Sequence, residues 1–133
     1  MGLLRGKQST RRRKAVLDAR KRALLCAQAA LAKKAEDVVI LDVRKISSFT
    51  DYFVICHGTS DRQARAIALS VEDKIKKSGG GGILGTEGHS DAGWILVDCG
   101  DVVAHIFKEP TRHFYDLERL WIHAEEVKIP GEK

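Results

Sequence analysis

Apolar residues in the N-terminal third recur at Val16, Ala19, Ala23, Ala27, Ala30 and Leu31. This spacing predicts an amphipathic helix from about Lys14 to Ala35, helped by its Ala-rich composition. The pattern then changes period. Val38 to Val43 is a short, β-branched run that reads as a strand covered on both faces, and Tyr52 to Cys56 is a second. Between them, Lys45 to Asp51 is a polar connector. Ser60 followed by Gln63 matches a capping box, and the helix it opens carries Ala64, Ile67, Ala68, Val71 and Ile75 on one face. Lys74, Lys76 and Lys77 suit its negative C-terminal end, and Gly79 is a natural terminator.

Past the glycines 79–82, Ile83 to Gly88 reads as a short strand. Trp94 to Asp98 and Val102 to Phe107 are clear strands joined by Cys99-Gly100-Asp101 as a hairpin. Pro110-Thr111 opens a last helix, with Thr as cap and Phe114, Leu117, Leu120 and Trp121 as the buried stripe. The fold class is therefore α/β (α+β): a mixed five-stranded sheet flanked by helices, in the order α-β-β-α-β-β-β-α. Strands joined directly turn back on one another, while the crossover through the second helix should be parallel and right-handed.

A chain of 133 residues holds one domain with a real core. No apolar run approaches the roughly 20 residues that span a bilayer. Charge divides the chain. Residues 1–35 carry eleven Lys/Arg against Asp18 alone, whereas 36–133 hold twelve against seventeen Asp/Glu. The sequence pI near 9.2 thus describes a basic arm on a mildly acidic domain. Residues 1–13 are expected to be a disordered basic arm, 14–126 a single domain (helix 14–35, core 36–123), and 127–133 a loose tail. Arg11, Arg12, Arg13 and Lys14 are the candidate RNA contacts, because neutralising phosphate releases counterions whatever the sequence. A solvated tail or an Arg-rich transit peptide are the plainer readings of the same residues.

Candidate chemistry is thin. Asp98 and Asp101 stand three apart across a turn, and no D-x-D occurs, so the hard-oxygen cluster of a metal-dependent nucleotidyl transferase is not supplied. Gly58-Thr59-Ser60 reads as a strand-to-helix turn with its cap, although a helix N-terminus can also hold phosphate. Cys56 and His57 are adjacent on a strand and point to opposite faces, which breaks a nucleophile–base pair. Cys99 and His105 would need an alignment across the hairpin that spacing alone leaves open. Cys26, Cys56 and Cys99 form no C-x-x-C pair and fit a reducing compartment. His89, His105, His113 and His123 lack zinc-ligand spacing. No metal, cofactor or catalytic residue is expected. Trp94 beside an acidic hairpin reads equally as a binding anchor or a core residue.

Taken in order, these blocks resemble the ribosomal silencing factor (Iojap-like) family. They run from Asp42-Val43 and Thr50-Asp51-Tyr52-Phe53-Val54-Ile55 through Gly58-Thr59-Ser60, Gln63 and Ala66-Ile67-Ala68. In the second half come Glu87-Gly88, Gly93-Trp94-Ile95-Leu96-Val97-Asp98, Gly100-Asp101-Val102-Val103 and His105-Ile106-Phe107. The last block is Arg112 to Trp121. The resemblance implies a non-enzymatic factor with a nucleotidyltransferase-like sheet that lacks the catalytic carboxylates. It also implies docking on large-subunit ribosomal protein fourteen, which blocks joining of the small subunit and represses translation. A bacterial cytosol is the implied location, with a mitochondrial or plastid matrix as the alternative. By position, the docking surface falls on Trp94, Asp98, Cys99 and Asp101, with Cys99 smaller than the family's usual apolar residue. A general RNA-binding module and a residual nucleotidyltransferase are the rival readings. Oligomeric state is left open, a homodimer included.

Overall fold

The computed structural model describes residues 19–78, 82–88 and 93–131. The basic arm with Arg11, Arg12, Arg13 and Lys14, the expected start of the first helix and the glycines 79–81 lie outside them. Helix α1 spans 19–32 of the described residues. It stops three residues before the expected Ala35, in a Schellman closure. Ala35 N–H donates to Ala30 O (3.1 Å) and Lys34 N–H to Leu31 O (2.9 Å), with Lys34 left-handed at φ 62°. Gly is usual at that position, yet Lys takes it here.

Strands β1 (Glu36–Asp42) and β2 (Tyr52–Gly58) follow, then α2 (Asp61–Ser78), β3 (Gly85–Glu87), β4 (Trp94–Asp98) and β5 (Val102–Lys108). Helices α3 (Glu109–Tyr115) and α4 (Leu117–Leu120) and strand β6 (Glu125–Val127) complete the chain. The capping box forms with one shift: Gln63 N–H donates to Ser60 Oγ (3.1 Å), while Gln63 Oε1 accepts from Thr59 N–H (2.7 Å) rather than from Ser60.

The sheet has six strands, not five, in the order β3-β4-β5-β2-β1-β6. β2 and β5 are parallel and every other neighbouring pair antiparallel. The sixth strand is Glu125-Glu126-Val127, which pairs with Ile40 to Asp42. Its two acids show no apolar period, so backbone pairing is all that marks it as a strand. The expected loose tail is corrected with it, since Val127 and Ile129 are both buried. A second correction concerns the last helix. Asp116 adopts φ 49°, ψ 56° and splits it into α3 and α4. Lys108, not Thr111, stands at the N-cap of α3, and no side chain caps it. Phe114, expected inside, is 81% exposed.

Strand alternation gives the sheet two unlike faces. One packs Ile40, Val54, Cys56, Val97, Ala104 and Ile106 against the helices. There the alanine stripe of α1 (Ala19, Ala23, Ala27, Ala30) and Ile67, Val71 and Ile75 of α2 close the main core. The opposite face buries a smaller cluster of Leu41, Val43, Ile55 and Phe107, with Trp94, Phe53 and Trp121 packed against it. Among the described residues, only the segment of α3 and α4 crosses that side, so it is half covered.

Candidate docking face

On β4, Ile95 and Val97 are buried among the helices, whereas Trp94, Leu96 and Asp98 alternate onto the half-covered face with partial exposure. Register brings β5 beside them: Trp94 opposite Phe107, Leu96 opposite His105, Asp98 opposite Val103. Parallel pairing continues the same rows into β2, with Phe53 beside Val103 and Ile55 beside His105.

Trp94 is half-buried and held from three sides. Its ring stacks on Phe107 (centroids 5.1 Å, 29°) and leans on Tyr115 (4.8 Å). Its Nε1–H donates to His105 Nδ1 at 3.2 Å. That bond leaves the ring proton of neutral His105 on Nε2. Burial lowers the His105 pKa to about 4, so the imidazole is neutral at physiological pH. Trp94, Leu96, Tyr115, Glu87 and Gly88 line a hollow of about 300 Å³. Gly88 is required there: at φ 85°, a Cβ would lie 2.3 Å from Trp94 O. Glu87, exposed, and Asp98, half-exposed, add negative charge to an otherwise aromatic and aliphatic surface.

The four residues assigned by resemblance therefore separate. Trp94 and Asp98 share the open face. Asp98 Oδ1 also accepts from Gly100 N–H (2.8 Å), which shapes the hairpin. Cys99 is corrected: it is 5% exposed, on the helix-covered side, against Cys26. The Cys26 thiol is held well above its usual range by its hydrogen bond to Cys99 and by burial. Asp101 is turned to an internal role. Arg22 Nε donates to its Oδ1 (3.1 Å), and Arg22 Nη2 donates to Cys99 O (3.0 Å), tying α1 to the hairpin. Leu96, Val103, His105 and Tyr115 were missed as parts of this surface. The alternation along β4 and β5 was the signal that would have found the first three.

Burial pushes Cys56 up to about 12, and His57 does point to the opposite face. His57 meets Arg112, which is 6% exposed. Arg112 Nη1 lies 2.9 Å from His57 Nδ1 and donates to Glu36 O (3.3 Å), while Nη2 donates to Glu118 (2.9 Å). Glu36 and Glu109 carboxylates stand 3.7 and 3.4 Å from His57 Nε2, a set close enough to suggest a cation site. The guanidinium argues otherwise. Arg can only donate, so Nδ1 must accept and Nε2 carries the proton that faces the two carboxylates. A metal would have to displace that proton beside a fixed positive charge. The cluster is instead a clamp that holds α3, and with it Tyr115, on the sheet.

Comparison with known proteins agrees with this architecture. Residues 16–133 match the family described as "Ribosomal silencing factor during starvation". A ribosomal silencing factor of Bacillus subtilis is 47% identical over 89 residues, which is 67% of this chain and 75% of that protein. Its counterpart in Halalkalibacterium halodurans is 44% identical over 99 residues, covering 74% and 84%. A crystal structure of a Chromobacterium violaceum protein superposes with a TM-score of 0.74 at 34% identity, over 85% of this chain and 92% of that one.

Proposed function

The chain belongs to the ribosomal silencing factor family, and from that premise we propose that it docks on the large ribosomal subunit and silences translation by standing in the way of the small one. The carrying observation is the half-covered sheet face, where Trp94 is presented in a fixed orientation beside Leu96, Val103 and two acids. Its partner is large-subunit ribosomal protein fourteen, as the resemblance implies, and the setting is the bacterial cytosol. A standard interface covers about 800 Å² per partner, within reach of a domain this size.

Trp94 supplies the anchor, because a ring already immobilised by Phe107, Tyr115 and His105 loses little rotamer freedom on binding. Glu87 and Asp98 favour a basic partner and mainly quicken its approach. No bond is made or broken. The arm, through Arg11, Arg12, Arg13 and Lys14, lies along neighbouring rRNA phosphates and raises the local concentration of the docking face.

Sucrose-gradient sedimentation of purified subunits tests the reading. Added protein should leave the subunits apart, and Trp94→Ala should let them join. Subunits that reassemble equally well with the unaltered protein would end it. Deleting residues 1–13 should flatten the salt dependence of large-subunit binding; an unchanged slope removes the arm from the account.

A further inference from the structure

The helical layer on the other side of the sheet has a charge that docking does not use. Arg20, Lys21, Lys33 and Lys34 are exposed along α1 and its closing turn. Arg62, Arg65, Lys74, Lys76 and Lys77 are exposed along α2. Against these nine cations, α1 and α2 carry Asp61, Glu72 and Asp73 within the described residues. All three acids are engaged: Asp61 with Lys108 (3.1 Å), Asp73 with Lys77 (3.0 Å), and Glu72 with the Thr86 hydroxyl. Among the described residues, eight of the nine cations therefore form no ion pair. Elsewhere in the described chain the balance reverses, with twelve Asp/Glu against six Lys/Arg.

The two helices lie side by side and antiparallel. Gln63 Nε2 donates to Lys33 O (3.2 Å) and Lys34 O (3.0 Å), and seven residues on, Ser70 Oγ donates to Ala29 O (2.8 Å). A groove of about 280 Å³ runs between them, lined by Gln28, Ser70, Asp73, Lys74 and Lys77. The same antiparallel packing brings Lys74, Lys76 and Lys77 to the end of the layer where α1 begins.

We infer that the α1–α2 face is a second binding surface, and that it takes the phosphate backbone of RNA. Exposed cations on both helices, all but Lys77 without an ion-pair partner among the described residues, suit a polyanion. A lipid surface is disfavoured. Helices that lie on membranes offer their apolar stripe to the bilayer, and here those stripes are buried against the sheet. Because this face lies across the sheet from Trp94, RNA and a docked protein can be held at once.

The test is fluorescence anisotropy with the full chain and a fluorescein-labelled RNA duplex of about 20 base pairs, long enough to span both helices. The variant Lys33→Glu/Arg65→Glu/Lys74→Glu/Lys76→Glu changes only exposed positions. It should bind at least tenfold more weakly and lower the slope of log affinity against log salt by about 3. The same loss should appear when Arg11, Arg12, Arg13 and Lys14 are all alanine, which separates the helices from the arm. Trp94→Ala should leave RNA binding unchanged, so failure here is distinct from failure of subunit docking. Affinity within twofold of the parent would overturn the assignment. So would equal binding to phosphatidylglycerol vesicles.

Discussion

The two faces of one sheet are built from the same strands and yet differ in kind. The helix-covered face is aliphatic and closed: Ile40, Val54, Val97, Ala104 and Ile106 meet α1 and α2 with almost no exposure. The opposite face carries Trp94, Phe53, His105 and Asp98, and α3 and α4 cover only part of it. Because neighbours along a strand point opposite ways, β4 divides its labour residue by residue. Ile95 and Val97 hold the fold together, while Trp94, Leu96 and Asp98 stand partly exposed on the open face. Stability and recognition should thus be separable by single substitutions only a position apart.

Ile67→Ala on the closed side should break the comparison most forcefully. Its side chain is fully buried, and its truncation should cost about 2–5 kcal/mol, read as a drop in the urea midpoint at constant slope. Next comes acid. His105 is neutral in the fold with its pKa near 4, against about 6.5 in the unfolded chain, so the unfolded state binds the extra proton between those values. Stability should be full above pH 6.5 and fall towards pH 4 by at most about 3 kcal/mol. His105→Phe should flatten that part of the profile.

Trp94→Ala sharpens the contrast in the other direction. Large-subunit affinity should fall by about 2 kcal/mol or more, roughly thirtyfold, in a co-sedimentation titration. The smallest effect is expected at Phe114, whose 81% exposure predicts a stability change within about 0.5 kcal/mol for Phe114→Ser.

Much of this was legible before any coordinates. The β1, β2, β4 and β5 segments announce themselves as short apolar runs and α2 through its 3.6 period, and the buried residues of α2 are those its period picked out. Three features were hidden for identifiable reasons. β6 pairs by backbone alone, so two glutamates concealed it. The break at Asp116 is a single left-handed residue, invisible to a stripe that otherwise continues. Cys99 was grouped with Asp98 by resemblance, although alternation puts adjacent strand-end residues on opposite sides. Of the open face, Trp94 and Asp98 were readable. Tyr115 was not, because it arrives from another element through the Arg112 clamp.

Gln63 has a consequence for how the molecule comes apart. Its one amide accepts from Thr59 at the head of α2 and donates to the carbonyls of Lys33 and Lys34 at the tail of α1. Helix ends ordinarily fray first and independently, since their terminal groups lack partners of their own. Here a loosened tail strips its neighbour's head of support, so residues 33–35 and 59–63 should exchange their amide protons at a shared rate, opening as one hinge.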